Sequence, residues 1–141
     1  MTAKELWSAF GGEGEYEAWS FGSDADGLAA LVLAGKKTAT ASAYPLYELE
    51  GEPLPQAGEY SVILDSTENA VCIIRTTRVS IVPFDEISER QAALEGEGDL
   101  SLAYWRRVHR DFFTAELAGT GLSFDERMPV VFEEFELAYA P

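Results

Sequence analysis

Runs of alternating and helically spaced apolar residues divide this chain into helices near its start, strands through its middle and end, and one long amphipathic helix between them. Thr2–Phe10 reads as a short helix ended by Gly11-Gly12, and the aromatic-rich Glu15–Gly22 as extended chain. Ser23-Asp24-Ala25-Asp26 has the spacing of a capping box. It opens a helix through Leu28, Leu31 and Val32 that Gly35 closes. Thr38–Tyr44, rich in Thr and Ala, predicts a strand leaving that helix. Pro45–Gly58, with three prolines and two glycines, predicts a loop with at most one turn of helix. Strands are expected over Glu59–Asp65, Ala70–Thr76 and Thr77–Val82, the last two readable as one long bent strand. Phe84–Leu94 turns helical, with Ser88 and Gln91 at capping-box spacing. After the acidic loop Glu95-Gly96-Glu97-Gly98-Asp99, either Asp99 or Ser101 caps a long amphipathic helix to Leu117, and Val130–Tyr139 supplies a last strand. Strands with helices inserted between them give an α+β fold around a small, partly closed β-barrel.

Length and composition narrow the class. A chain of 141 residues with 47% hydrophobic and 25% charged residues is the size and mix of one globular domain, spanning 1–141. No apolar run approaches the roughly 20 residues a bilayer requires, and the first ten residues lack a secretory pattern. A cytoplasmic enzyme or binding module, with no membrane partner, is the expectation. Cys72 is the only cysteine, so no internal disulfide forms. Its apolar neighbours Val71, Ile73 and Ile74 predict a buried structural thiol.

Charge changes the picture more. Ten Lys and Arg against 25 Asp and Glu give a net −15, which repels a phosphate backbone. Eight of the ten cationic residues nevertheless lie between positions 36 and 110, so a local positive pocket for a small anionic or polar ligand stays open.

Three constellations carry candidate chemistry. In Gly35-Lys36-Lys37-Thr38-Ala39-Thr40, a helix hands over to a strand with two lysines beside two hydroxyls. A lysine of lowered pKa can take the proton of a threonine, and the adjacent charge of Lys36 would lower that of Lys37. A solvated helix end with lysines favourable to its dipole is the competing reading. In Glu95-Gly96-Glu97-Gly98-Asp99, alternate carboxylates could hold a divalent cation or present a carboxylate base, against an exposed acidic turn. No cofactor is expected, and a metal on Glu95, Glu97 and Asp99 is the alternative. In Trp105-Arg106-Arg107-Val108-His109-Arg110, Trp105 and His109 share one helical face. His109, the lone histidine, reads as a packed or capping residue, while Arg106 could grip a substrate oxygen.

Several segments in the same order resemble the ASCH family, in particular a longer bacterial branch. They are Trp19-Ser20-Phe21-Gly22, Leu31–Ser42 with its Gly-Lys-Lys-Thr-Ala-Thr core, Glu52-Pro53-Leu54-Pro55, Pro83-Phe84, Glu95–Leu102, Trp105-Arg106 and His109. The resemblance implies a PUA-like fold, a small β-barrel with flanking helices and a cleft associated with RNA or modified nucleobases. One branch is similar to a small amidohydrolase that removes the acyl group from N4-acylated cytosine nucleosides. Its motif implies Lys37, Thr40 and Glu95 as the catalytic group. Lys37 would activate Thr40 or water, and Glu95 would pass a proton to the leaving amine. Substrate contacts are then expected from Trp19, Phe21, Lys36, Thr38, Ser42, Tyr44, Glu97 and Arg106, with a small nucleoside as partner. Ser42 departs from the arginine of that branch, and the acidic loop is absent from it. Another relative looks like a metal-assisted ribonuclease, so an RNA-binding or RNA-cleaving module and a non-catalytic nucleoside sensor are the alternatives.

Overall fold

Short polar side chains start the helices. In the computed structural model, which describes residues 1–141, Thr2 and Glu5 form a capping box that opens α1 (Ala3–Phe10), and Ser88 with Gln91 opens α4 (Glu89–Leu94) in the same way. Ser101, not Asp99, caps the long α5 (Leu102–Leu117), while Asp99 accepts from the Ser101 amide. Asp24 rather than Ser23 caps α2 (Ala25–Leu33). Ser23 sits in the left-handed region at φ 58°, and Asp26 turns away to the amide and hydroxyl of Ser66, 2.8 Å from each.

Five strands form one sheet: β1 (Glu17–Trp19), β2 (Ala39–Ala43), β3 (Tyr60–Leu64), β4 (Ala70–Pro83) and β5 (Pro129–Tyr139). Their order is β1-β3-β4-β5-β2, with β1 parallel to β3 and every other pair antiparallel. β4 is the single bent strand: its register against β5 shifts between Ile73 and Ile74 and again between Thr76 and Arg78, and such irregularities sharpen the curl of a sheet. The result is an α+β, PUA-like half-barrel, open between its edge strands β1 and β2. One expectation needs correcting. Pro45–Gly58 is less of a loop than its prolines suggest, because α3 (Tyr44–Glu50) takes Pro45 into its first turn, where a missing amide hydrogen costs nothing. Tyr44 therefore opens a helix instead of ending a strand.

Each face of the sheet has its own core. On the outer face Ala39, Ala43, Val130 and Phe132 pack against Phe113 and Leu117 of α5, and Val62 and Ile73 pack against Leu6 and Trp7 of α1. On the inner face Ile63, Cys72, Ile74 and Phe135 receive Phe21 together with Ala29 and Val32 of α2. Burial raises the Cys72 thiol to about 11, as befits a structural residue. Burying one such large apolar side chain contributes roughly 1.5–3 kcal/mol. No helix is long and apolar enough to cross a membrane.

The inner core covers only half of the sheet. What fixes the other half is a backbone-to-backbone contact between the α2–β2 connection and the loop after α4. The Thr38 amide donates to the Leu94 carbonyl at 2.8 Å, and the Thr38 hydroxyl reaches the same oxygen at 3.3 Å. A Cβ on Gly96 would stand 2.1 Å from the Lys36 carbonyl oxygen, and Gly96 also has φ +72°. Gly11 shares the left-handed backbone, at φ +79°, but has open space around it. In urea unfolding, Gly11→Ala should cost only about 1 kcal/mol, and Gly96→Ala at least about 2 kcal/mol more. Equal losses would mean that the close approach at Gly96 does not hold the two segments together.

A candidate active site: a buried charge network beside an acidic cavity

Gly35, at φ +75°, ends α2, and the amides of Lys36 and Lys37 both fold back to the Leu31 carbonyl. That turn sends Lys37 inward, where it is 2% exposed. Its Nζ donates to Glu95 Oε1 at 3.2 Å and to Glu97 Oε2 at 3.1 Å. Glu95, 1% exposed, follows α4 directly and is held from its other side by α5. There Trp105 Nε1 donates to Glu95 Oε2, and His109 Nε2 lies 3.4 Å from the same oxygen. The His109 ring stacks on Trp105, with centroids 4.2 Å apart, and its Nδ1 is 2.9 Å from the Trp105 carbonyl oxygen.

The protonation states follow from the partners. Both nitrogens of His109 face oxygens that only accept, an arrangement that favours the imidazolium over the neutral ring. Burial alone would lower the His109 pKa, but the hydrogen bond and charge of Glu95 outweigh it and the net shift is upward. For Glu95 burial is again the largest single effect and pushes upward. Lys37, His109 and Trp105 together overcome it and hold the carboxyl well below its ordinary range. Glu95 and Glu97 are thus balanced by Lys37 and His109.

Beside this network the uncovered half of the inner face forms a cavity of about 640 Å³. Every strand contributes a side chain: Trp19 from β1, Ser61 from β3, Thr76 from β4, Glu133 from β5, and Thr40 and Ser42 from β2. Trp19, Phe21, Tyr47 and Phe112 supply aromatic wall. Six glutamates line it (Glu15, Glu17, Glu52, Glu59, Glu116 and Glu133), and no lysine or arginine does. Glu133 is 8% exposed and accepts from the Thr76 hydroxyl. Its carboxyl is raised, first by burial and then by the charges of Glu59 and Glu17, against the Thr76 hydrogen bond. Phe21 joins the two regions: it lines the cavity, and Lys37 Nζ lies 5.2 Å from its ring centroid.

The structure therefore brings Lys37, Glu95 and Glu97 together in the network, and Thr40, Ser42, Trp19 and Phe21 together in the cavity. The remaining expected residues fall elsewhere. Lys36 is exposed on the outer side of the turn, and Thr38 holds the Leu94 carbonyl. Arg106 reaches the Asp85 carbonyl at 3.4 Å and does not line the cavity. Tyr44 is displaced by Tyr47, one turn along α3, whose hydroxyl is 2.9 Å from that of Ser42. Asp99 is drawn to Ser101, and His109 takes its place in the one group with ligating geometry, Glu95, Glu97 and His109, whose donor atoms lie within 4.8 Å of one another. Lys37 Nζ already sits on both carboxylates, supplying the positive charge there. Sequence reasoning missed Glu133, Thr76 and Ser61. The signal for Glu133 was present: in Val130–Tyr139 two consecutive glutamates, 133 and 134, cannot both face solvent on an alternating strand.

An open half-barrel with an acidic inner cavity and a buried lysine–glutamate network is the class of domain that fold and site define. The chain belongs to the ASCH domain family, whose model matches residues 17–139. It is similar to the crystal structure of an ASCH domain from Lactobacillus crispatus JV V101, with 34% identity and a TM-score of 0.88 over 96% of this chain and 93% of that one. Protein EF3133 from Enterococcus faecalis V583, of the DUF984 family, is 37% identical with a TM-score of 0.85, over 95% of this chain and 83% of that one. Hypothetical protein PH0355, at 16% identity and a TM-score of 0.57 over 87% of this chain and 99% of that one, shares the fold alone. No curated protein matches the chain.

The network should write itself into the pH dependence of stability. A carboxyl held below its ordinary 4.5 contributes stability that is present above that pH and is lost as pH falls through the lowered value. An imidazole held above its ordinary 6.5 contributes stability that is present below that pH and is lost as pH rises through the raised value. The Glu95–His109 contribution is therefore complete between pH 4.5 and 6.5. His109→Phe keeps the stacked ring but not the charge. Its stability deficit against wild type, from urea midpoints, should be largest in that window and shrink as pH rises above it. A deficit that stays flat into alkaline pH would show His109 to be a packing residue only.

Proposed function

We propose that this ASCH domain is a small amidohydrolase acting on an uncharged acylated nucleoside of the N4-acylcytidine kind. The observation that carries the substrate class is the lining of the cavity: aromatic walls, hydroxyls and six glutamates, with no cation to meet a phosphate. Such a surface favours a neutral heterocycle over a nucleotide or an RNA strand. The arginines of α5 do not restore an RNA surface, since Arg110 pairs with Glu126 and Arg107 lies over Tyr104.

The chemistry is assigned to Thr40, Lys37 and Glu95, the three residues the family resemblance selects. Thr40 stands in the cavity with its hydroxyl unbound by the protein and serves as nucleophile. Glu95, kept as the carboxylate by its partners, takes the proton of Thr40, and the Lys37 ammonium holds it in place across the 3.2 Å contact. The Thr40 oxygen bonds the acyl carbon, the amide C–N bond breaks, and the leaving amine receives the proton from Glu95. Water then cleaves the threonine ester. Phe21 lies between network and cavity, so the bound substrate must turn that ring aside.

Burial changes what a lysine substitution reports. A cleft lysine would be expected to leave stability almost untouched, but Lys37 is 2% exposed and neutralises Glu95. Lys37→Ala should therefore cost about 3–5 kcal/mol of stability as well as activity. Thr40→Val is the cleaner test. Hydrolysis of N4-acetylcytidine should fall at least roughly 10²-fold with the melting temperature nearly unchanged, and Lys36→Ala should stay close to wild type. Undiminished turnover in Thr40→Val would remove the assignment. Binding of N4-acetylcytidine by wild type without any turnover would favour a nucleoside sensor.

A further inference from the structure

Glu133 is unlike the other five glutamates of the cavity. They are exposed, whereas Glu133 is 8% exposed and takes part in no salt bridge. Its Oε2 accepts from Thr76, and its Oε1 has no partner in the protein. A buried carboxylate without a counter-charge is costly, and one that keeps its proton is not. The residue also occupies a defined place: Thr40 on β2 is its direct register partner across the ladder. Side chains so paired share a face, with Cβ atoms roughly 4.5–5.5 Å apart.

We propose that Glu133 holds the base of the ligand, acting as a neutral carboxylic acid that reads an adjacent acceptor and donor on the ring edge. The Oε1 hydroxyl donates to a ring nitrogen, and Oε2 accepts from the neighbouring exocyclic N–H while keeping the Thr76 hydrogen bond. Cytosine and adenine present such an edge, and an N4-acylated cytosine keeps its N4–H. The assignment rests on reading the cavity as a nucleoside site. It also deepens that reading, because a cytosine edge seated on Glu133 brings the N4 substituent beside Thr40. Burial and the charges of Glu59 and Glu17 push the Glu133 carboxyl up, against the Thr76 hydrogen bond. The charged and titratable groups that share its cavity are Glu15, Glu17, Glu52, Glu59, Glu116 and Tyr47, and none of them is a cation.

Calorimetric titration of the full chain with cytidine tests this without any turnover. Wild type should bind cytidine more tightly than N4,N4-dimethylcytidine, which lacks the exocyclic N–H. Glu133→Met, which keeps the length but neither polar atom, should bind cytidine roughly 10- to 100-fold more weakly. Glu133→Gln, which offers one donor and one acceptor as the neutral acid does, should stay within roughly threefold of wild type. No detectable cytidine binding by wild type, equal binding by all three proteins, or equal loss in Gln and Met variants would each overturn the assignment. The comparison of cytidine with its dimethyl analogue uses only wild-type protein, so it stands even where Glu133→Met fails to fold. Cytidine binding with the expected preferences but no hydrolysis of N4-acetylcytidine would discard the hydrolase reading alone. Hydrolysis without any preference at Glu133 would discard this inference alone.

Discussion

A lysine and a glutamate almost wholly removed from water dictate how the rest of this domain must be built. Lys37 and Glu95 are 2% and 1% exposed, and a charge so placed is tolerated only when paired and fully hydrogen-bonded. The pair by itself leaves Glu97 and His109 to be accounted for, and together the four groups cancel. Trp105 completes the arrangement by donating to the oxygen of Glu95 that Lys37 does not reach. Segments distant in sequence are tied by this network: the end of α2, the loop after α4 and the buried face of α5. None of them could slip along its neighbour without stranding a charge.

That constraint explains local features that otherwise look arbitrary. The glycines of the Glu95–Asp99 loop suggest flexibility, yet Gly96 lies where a side chain would strike the Lys36 carbonyl and Gly98 where it would strike the Tyr104 ring. They are glycines because two backbones and an aromatic ring must come close, which is the opposite of slack. The turn at Gly35–Thr38 answers a geometric objection as well. Positions 37 and 40 of one straight strand would face opposite sides of the sheet. β2 begins only at Ala39, so Lys37 belongs to the irregular connection and is free to point into the network.

Much of this was legible in the sequence, for identifiable reasons. Helix starts announced themselves through Ser88 and Ser101, because a cap is a local hydrogen bond that neighbouring residues decide. Asp24 and Ser23 were confused because Asp26, the distal member of the expected box, turns instead to Ser66, forty residues further along the chain. Lys37 and Glu95 could be named from the family motif. Their shared burial could not, since it depends on Trp105 and His109 arriving from another helix. Tyr44 and Tyr47 were exchanged because Pro45 reads as a breaker until it falls in the first turn of a helix. Arg106 looked like a ligand-gripping cation, and only the packing of α5 shows it turned towards the Asp85 carbonyl.

The net charge of −15 acquires a meaning once the cations are located. Within the network and its surroundings, positive charge is spent internally: Lys37 and His109 on Glu95, Arg78 and Arg90 on Glu134, and Arg127 on Asp85 and Glu86. The cavity receives none, and the charged side chains that line it are all glutamates. A negative rim makes ionisation of one more buried carboxyl harder, so the acidity that disfavours phosphates also pushes the Glu133 carboxyl up. On the proposed reading, exclusion of polyanions and reading of an uncharged base are two effects of a single charge distribution. On that reading, the surface that repels an RNA strand selects a nucleoside by its lack of phosphate and not by how tightly it is held.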